Sequence, residues 1–534
     1  MPRERNASAE TAIRAGTPPS WLFTLTLRDG RVIRAATRPM SLDTYDAADG
    51  PYQYADTLSG VSDFEEELDP FSLDGKGHLA QARVSVTTTT DLAALASDFY
   101  APFASRAELA IAWPGQDWED RIVMLSAGMV QSFELGMLGE ESTFSLEASA
   151  PSSSTGIGDD SRDLGTDYPA PIYDDGAVEL TDLAGYKYQT VIGVADNIPA
   201  YKFGASGANN RLMLAGHKFA RSGASYQVTV YMDGASQGAF TVINGTSGSG
   251  AIAYVQSTTQ FQSADGAYTY KSTSGGIAAA DDAGDAALNA DGVIRYLLAA
   301  SGVPVDWAAC GPALRYLAGW KLGIWCDKQA DALELIRDRL VPYLPLVEMH
   351  SGKGLWFAYS DPIAMIPEAE LTAGVHLVGR VGGMESTDLG DIRNSFTINY
   401  DFDAFTDTFA KTLTLDATNS TLCMVSRDAL YNAAAGDDGI RADDPIDCKE
   451  TADAATAGLI LAARARRLAL PRRVLTYLAA PDQYTLAAGA CVWLTDSAWG
   501  LDRARGVIIK RRAGQSDYLV TIALFDGTAV SRDS

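Results

Sequence analysis

The four histidines are the first residues to consider for catalysis or metal binding. They are His78, His217, His350 and His376, and none lies within a helical turn or a strand step of another. Zinc sites and proton relays need ligands that are clustered. The spacing therefore predicts histidines that are solvated or satisfied in a core, and it predicts no metal site.

The densest group of carboxylates lies in a single short run. It consists of Asp63, Glu65, Glu66, Glu67 and Asp69. A glycoside hydrolase needs two carboxylates on opposite sides of a sugar, one of them with a pKa raised by burial. Adjacent glutamates repel each other and point in different directions, so this run predicts a solvated edge or turn. A cell-wall hydrolase that uses Glu65 or Glu67 remains a less favoured alternative.

A second acidic group has the composition of a calcium loop but not its order. Its members are Asp281, Asp282, Asp285, Asn289 and Asp291. Position 287 is Ala, and no Glu lies at the distance that the motif requires, so helix capping by Asp291 is favoured. No P-loop, GxGxxG or GxSxG motif occurs, and no His lies near Ser161. The sequence therefore predicts no catalytic residues, no cofactor and no enzyme.

The cysteines and the N-terminus indicate where the chain folds. The five cysteines, at positions 310, 326, 423, 448 and 491, are odd in number and include no CxxC pair, so neither a disulfide framework nor a zinc knuckle is indicated. No stretch approaches the roughly 20 apolar residues of a membrane helix. The first 19 residues lack the apolar core of a signal peptide. We expect folding in a cytoplasm.

The charge balance restricts the partners. The 534 residues include 42 Lys and Arg against 68 Asp and Glu, a net charge of −26. Binding to phosphate backbones or anionic membranes depends on cations. The balance therefore argues against a protein whose main work is to hold nucleic acid or to dock on a membrane.

Two groups of residues are candidates for contacts with other molecules. A basic cluster at the end of an Ala-rich helix complements the helix dipole and offers salt bridges to a second copy; a local nucleic-acid patch is the minority alternative. The members of this basic cluster are Arg464, Arg466, Arg467, Arg472 and Arg473. Aromatic faces could instead contact a receptor or glycan, although Tyr is also a common strand and interface residue. These tyrosines are Tyr226, Tyr231, Tyr268 and Tyr270.

Hydrophobic periodicity predicts a mainly β, multidomain chain with an α+β middle section. Alternation from Trp21 into the Asp29–Gly30 turn, and later into Asp233–Gly234, is typical of antiparallel hairpins. We predict an arm (1–19), a β-barrel or sandwich domain (20–160), a Gly/Ser/Tyr-rich β domain (161–280), an α+β domain (281–395) and a C-terminal β domain (396–534). Helices are predicted after Asp291, from Asp327 to Leu340, and over about 451–470.

Several segments, taken in order, resemble the tail-tip (baseplate) hub proteins of tailed bacteriophages. The first is the predicted helix from Asp291 to Gly302 followed by Asp306, and the second is a helix ending at Leu344–Pro345 before a strand at 354–357. The third is LAAGACVWLT at 486–495, similar to a family pattern L-x-x-G-D-x-V-x-L-T in which Ala490 here replaces Asp. Weaker similarity covers 21–151 and 211–275.

This resemblance implies a structural virion protein made in the bacterial cytoplasm. It implies a homotrimer built from tail-tube-type β-barrels, which adapts a hexameric distal tail protein to tail fibres or a spike. The tape-measure protein is a further implied partner. Phage DNA would pass through the ring without specific binding, and the acidic composition fits such a conduit. A receptor- or carbohydrate-binding tail protein is the alternative.

Overall fold

The computed structural model describes residues 11–12, 17–44, 51–68, 78–97, 103, 105–148, 156–157, 188–203, 210–219, 227–247, 250–257, 268–271, 289–351, 354–361, 365–404, 406–514 and 518–525. The chain folds into two compact units, each made of separate segments. Unit 1 combines Met1–Pro151, Val347–Ile392 and Leu470–Ser531. Unit 2 combines Ser152–Leu346, Arg393–Ala469 and Arg532–Ser534.

Strands dominate the described residues. In chain order they are β1 Ser20–Thr26, β2 Val32–Ala36, β3 Met40–Leu42, β4 Tyr52–Asp56, β5 Leu58–Glu67, β6 His78–Thr87, β7 Arg106–Ala112, β8 Ile122–Glu134, β9 Glu141–Ala148, β10 Gly156–Ile157, β11 Thr190–Gly193, β12 Ile198–Pro199, β13 Tyr201–Phe203, β14 Asn210–Ala215, β15 Gln227–Met232, β16 Ala235–Thr241, β17 Ile243–Ser247, β18 Gly250–Ser257, β19 Tyr268–Lys271, β20 Gly323–Cys326, β21 Ala330–Asp331, β22 Leu346–Ser351, β23 Gly354–Tyr359, β24 Ala369–Thr372, β25 Leu377–Ser386, β26 Phe396–Asp403, β27 Thr408–Leu415, β28 Ile446–Asp447, β29 Arg473–Ala479, β30 Cys491–Asp496, β31 Leu501–Ala513 and β32 Tyr518–Leu524. The helices are α1 Thr90–Ala93, α2 Ala290–Ser301, α3 Trp307–Tyr316, α4 Ala332–Arg339, α5 Thr421–Leu430 and α6 Ala454–Leu468. The predicted fold class, mainly β with several sheets and few helices, is confirmed.

Unit 1 is organised around one large sheet. Its strands pair in the order β25-β29-β32-β31-β5-β6-β9-β8-β7-β1-β2-β4-β3, with β30 pairing β31 and β24 pairing β30. All but two of these pairings, β2–β4 and β24–β30, are antiparallel. The Asp29–Gly30 turn is confirmed, because the Leu27 amide donates to the Arg31 carbonyl at 2.9 Å and Gly30 has a φ of 87°.

Alternating side chains give this sheet one buried face. In β9 the pattern of burial is strictly alternating, and it places Phe144 and Leu146 inside. The same core cluster contains Trp21, Phe64 and Tyr518. Since the period of a strand is two residues, this register puts every second apolar side chain into the core.

Residues 20–160 were predicted to form a β-barrel or a sandwich, and no closed barrel is seen among the described residues, where the strand pairings form an open path. On one side β5 pairs with β6 of the same segment. On its other side Phe64–Glu67 pairs with β31 at Lys510–Ala513 and not with a further strand of residues 20–160. Strands from the two ends of the described chain thus share one sheet.

Unit 2 consists of small sheets and helices. Its sheets are β12-β19-β15-β16, β13-β14-β18-β17, β27-β26-β28 and the pairs β10-β21 and β11-β20. The first two enclose a core that includes Val228, Val230 and Tyr270. The predicted hairpin turn is confirmed, because Asp233 and Gly234 both have positive φ, 49° and 79°, as a type I′ turn requires.

The helices follow the sequence signals with small displacements. The helix predicted after Asp291 is α2, whose C-cap is Gly302 as expected, with φ 70°, but whose N-cap is Asn289 and not Asp291. The predicted cap Asp327 is wrong, since the N-cap of α4 is Asp331. The Ala-rich helix is confirmed as α6. Helices α1, α3 and α5 were not predicted. No described helix is both long enough and apolar enough to cross a membrane.

Candidate assembly surface

The acidic run 63–67 lies within a sheet and is not a solvated turn. Glu65, Glu66 and Glu67 face the basic residues of β31 in register, with Arg512, Arg511 and Lys510 as their respective partners. The Lys510 Nζ lies 2.8 Å from a Glu65 oxygen and 3.0 Å from a Glu67 oxygen. The prediction of a solvated edge or turn was therefore wrong, because this run has β6 on one side and β31 on the other. These carboxylates neutralise a basic strand.

Arg511 is the most deeply buried member of this ladder. Its side chain is fully buried, and Nε donates to the Glu66 carboxylate. Nη1 donates to the Leu486 carbonyl at 3.3 Å, and the guanidinium lies 5.3 Å from the Phe64 ring centroid. Burial acts to lower the pKa of Arg511, but Glu66 and Tyr518 together outweigh burial and the pKa is raised. The pair is a structural element of unit 1.

Asp496 forms a second buried carboxylate site in unit 1. It accepts hydrogen bonds from Arg380 Nε at 2.7 Å, from the Tyr477 hydroxyl at 2.9 Å and from the Ala498 amide at 3.0 Å. The Arg380 guanidinium in particular lowers the pKa of this carboxyl. Arg380 belongs to β25, so the ion pair attaches that strand to the rest of the sheet.

Strand β25 ends the sheet of unit 1. It pairs with β29 on one side only, and no strand covers its other side in the described part of the chain. Nine of its ten residues lie in half-buried or exposed positions. Val378, Val381 and Met384 are 63%, 44% and 39% exposed. An exposed, apolar strand at a sheet edge offers both side chains and backbone groups to another chain.

The turn between β8 and β9 exposes two more apolar side chains. Met137 and Leu138 are 74% and 67% exposed. The turn is closed by a hydrogen bond from the Glu140 amide to the Met137 carbonyl at 2.8 Å, and Gly139 adopts a φ of 86° that favours glycine. The Gly139 amide also donates to the Thr88 carbonyl at 3.0 Å. An ordered backbone thus holds apolar groups in water.

The predicted basic cluster is divided between the two units. In unit 2, Arg464 pairs with Asp443, and Arg466 and Arg467 are buried in α6. In unit 1, Arg472 is half-buried and Arg473 is exposed at the start of β29. As contacts for a second copy, the half-buried Arg472 and the exposed Arg473 stay predictions. Arg466 and Arg467, which are buried, and Arg464, which pairs with Asp443, contribute to the chain's own packing.

The predicted glycan-contact tyrosines have different surroundings. Tyr270 is fully buried and donates to the Leu214 carbonyl at 2.8 Å, and Tyr268 is also buried. A ring inside a core cannot stack on a sugar, so the prediction is wrong for these two. Tyr231 is half-buried beside Lys271. Tyr226 lies outside the described residues.

The described histidines and cysteines have structural surroundings. His217 accepts from the Val191 amide at 3.1 Å through Nε2, and His376 accepts from the Thr372 amide at 3.1 Å through Nδ1, so these two are satisfied histidines. The side chains of His78 and His350 lie outside what the structure describes. All five cysteines are free and buried. No group of three His, Cys, Asp or Glu side chains that could hold a metal ion occurs within the described ranges.

A cavity of about 450 Å³ lies in unit 2. Trp325, Phe402 and Leu335 form apolar walls, and Cys326 also lines it. Burial raises the pKa of the Cys326 thiol to about 11, so the thiol is protonated at neutral pH and is a poor nucleophile. Arg339 at the cavity is held by Glu450 at 2.8 Å. This lining offers no nucleophile–base pair.

Comparison with known proteins gives likenesses to solved structures alone. No family model matches the chain, and no curated protein matches it. The 43 kDa tail protein of prophage MuSo2 from Shewanella oneidensis aligns over 95% of this chain and 99% of its own, at 9% identity and a TM-score of 0.38. A tail protein from Neisseria meningitidis MC58 aligns over 96% of this chain and 99% of its own, at 10% identity and a TM-score of 0.36.

A chain of the virion of a native gene transfer agent particle aligns over 71% of this chain and 90% of its own. The identity is 14% and the TM-score is 0.43. The aligned structures are thus tail proteins and a virion component. At such identities and TM-scores the likeness is too small to carry an argument about the fold or the function of this chain.

Proposed function

We propose that this chain is a structural protein of a phage tail, the trimeric hub at the distal end of the tail tube. In this role it joins a hexameric distal tail protein to fibres or a spike and forms part of the path for DNA. The tape-measure protein is a further proposed partner. The proposal extends the resemblance of the ordered segments at 291–306, 327–357 and 486–495.

The observation that carries an assembly role is the distribution of apolar and charged side chains. Apolar residues are exposed on β25 and on the β8–β9 turn, whereas charged residues such as Arg511, Glu66 and Asp496 are paired inside. Exposed apolar surface of this kind usually marks a site that is buried against another protein.

The net charge supports the proposed passage of DNA. A chain with a charge of −26 repels phosphates, and a ring of such chains would let a genome slide without holding it. A lumen lined with Lys and Arg would be incompatible with this part of the proposal.

Electron microscopy of the purified protein tests the architecture. Class averages with threefold symmetry and a central opening are expected, and gold-labelled antibody should bind the distal tip of intact tails. Label along the tail shaft, or rings of another symmetry, would refute the hub assignment.

A further inference from the structure

The turn between β8 and β9 is fixed by hydrogen bonds within it and from a neighbouring segment. Within the turn, the Met137 amide donates to the Glu140 carboxylate at 3.0 Å. The Gly136 amide donates to the Ser142 hydroxyl at 3.1 Å. From the neighbouring segment, the buried Thr88 donates its amide to the Glu140 carbonyl at 2.7 Å, and its hydroxyl lies 2.6 Å from that of Ser142. The turn is therefore ordered before a partner arrives, which lowers the entropy cost of binding.

Met137 and Leu138 form the tip of this turn. A single exposed apolar side chain is common on a soluble protein and needs no partner. Here two adjacent ones, 74% and 67% exposed, are held in water by an ordered backbone. A few anchors at the centre of an interface supply most of its binding energy, and Met adapts its shape to the pocket that receives it. The tip thus has the form of an anchor.

The segments around the tip carry acidic charge and no Lys or Arg. In residues 122–148 all four charged side chains are glutamates. They are Glu134, Glu140, Glu141 and Glu147. Residues 84–105, which supply Thr88, contain two aspartates and no Lys or Arg. Glu134, Glu140 and Glu141 are exposed, and no ion pair holds them in the described part of the chain. The apolar tip is therefore surrounded by a negative rim.

We propose that Met137 and Leu138 insert into an apolar pocket of a different protein, whose rim carries Lys or Arg. An apolar centre within a polar rim is the ordinary anatomy of a specific interface, and opposite charges on the two rims steer the partners together. Charge also decides between the occupants. An anionic membrane surface repels the glutamates. A second copy of this chain, with 42 Lys and Arg against 68 Asp and Glu, is a poor source of a basic rim.

The inference deepens the proposed function, on which it rests for the expectation that other tail proteins contact this chain. It adds the surface and the chemistry of one such contact. The contact does not depend on the position of the chain within the particle, so the two proposals can fail separately.

Photo-crosslinking in assembled particles tests the contact. The full-length chain carries p-benzoylphenylalanine at position 137, purified particles are irradiated, and cross-linked peptides are identified by mass spectrometry. The expected product joins position 137 to a different polypeptide, at an apolar site with Lys or Arg around it. The same probe at position 366 is the matched control, since Ile366 is 73% exposed and lies outside the turn. It should give at least about tenfold less of this product.

Charge reversal tests the rim. Glu134→Lys combined with Glu141→Lys, in the chain with the probe at position 137, should lower the yield of the product about tenfold. Glu385→Lys combined with Asp502→Lys makes the same change in net charge at exposed positions outside the turn, and should leave the yield unchanged. Circular dichroism shows whether each variant is folded. Should the first variant not fold, Glu134→Gln combined with Glu141→Gln replaces it, with an expected fall of about threefold.

A product with a second copy of this chain or with lipid would overturn the inference. No product above the level of the position 366 control would also overturn it, as would a yield that the folded Glu134 and Glu141 variant leaves unchanged. Each of these results, found in tails with label at the tip, leaves the hub proposal standing. A cross-link to a basic-rimmed protein in particles without label at the tip retains the inference and refutes the hub proposal.

Discussion

Arg511 is a fully buried cation whose contacts explain why it is tolerated. Removing a charge from water is costly, and only a partner charge with further hydrogen bonds offsets that cost. Glu66 and the Leu486 carbonyl supply these contacts to Nε and Nη1, whereas Nη2 is buried without a hydrogen-bond partner among the described residues. Arg511 and Glu66 are 445 residues apart in the sequence. The local sequence therefore shows a charged run at 63–67 but not the basic strand that pairs with it. For this reason the sequence predicts that the run lies in solvent.

Substitution of Arg511 tests this buried pair. Arg511→Met leaves Glu66 without its cation, and the free energy of unfolding should fall by about 3 kcal/mol in urea titrations. Arg512→Met is the matched control on the same strand. Because Arg512 is 56% exposed and lies 3.4 Å from an exposed Asp63, its loss should cost less than about 1 kcal/mol. Equal costs would show that the buried pair has no special role.

The Asp496 site makes a prediction about pH. A carboxyl with a lowered pKa in the folded state stabilises the fold above its unfolded pKa, which is about 3.9. That stabilisation is lost as the pH falls through the lower, folded value. Asp496→Asn should therefore lower the unfolding free energy by about 2 kcal/mol at pH 7.

Between pH 5 and pH 2 the wild type should lose stability faster than Asp496→Asn, and the difference between them should shrink. Urea titrations at several pH values measure this. A difference that stays constant with pH would mean that the Asp496 carboxylate contributes no net charge interaction.

At the scale of elements, α4 shows that a sequence signal can predict a helix without determining where the helix begins. Both Asp327 and Asp331 precede the apolar positions Leu333 and Ile336, and each is a good capping residue. The segment between them forms the strand pair β10–β21 at Ala330–Asp331. This tertiary pairing consumes the residues that a helix from Asp327 would need, so the later Asp becomes the cap.

The cap of α4 can be tested directly. The Asp331 carboxylate accepts from the Leu333 amide at 2.8 Å and the Glu334 amide at 2.9 Å. Asp331→Ala should lower the unfolding free energy by about 1 kcal/mol. Asp338→Ala, in the last turn of the same helix, should cost nothing, since a negative charge is unfavourable there. Thermal melts of both variants decide the matter; a larger cost for Asp338→Ala would contradict the assignment of Asp331 as the cap.

Helix α3, which was not predicted, has weak local signals. Helix α3 contains Gly311 and Pro312, both poor residues for a helix interior, yet Asp306 caps it by accepting from the Ala309 amide at 3.1 Å. Its burial of Cys310 and Leu314 supplies the stability that propensity lacks. Packing of this kind is invisible in a single sequence.

At the scale of the whole molecule, the sequence predicts the fold class but not the assembly of its segments. Alternation, turns and the three predicted helices are local, and most were found where expected. The large sheet joins strands from 20–148, 369–386 and 473–524, and no local rule specifies pairings of such long range. The edge at β25 follows from that topology, so sequence reasoning could not find it.

The charge of the whole chain predicts its behaviour towards nucleic acid. At about 0.15 M salt, binding to duplex DNA should be weaker than about 100 µM, because a protein with a charge of −26 has few cations with which to release counterions. Fluorescence anisotropy with a labelled duplex measures this. Micromolar binding that weakens with added salt would reveal a basic patch that the net charge conceals.

Native mass spectrometry tests most directly whether the chain acts by assembling with copies of itself. The chain mass is 56.7 kDa, and a dominant species of three times that mass is expected. A wild-type protein that is monomeric at all concentrations would contradict assembly of the chain with copies of itself.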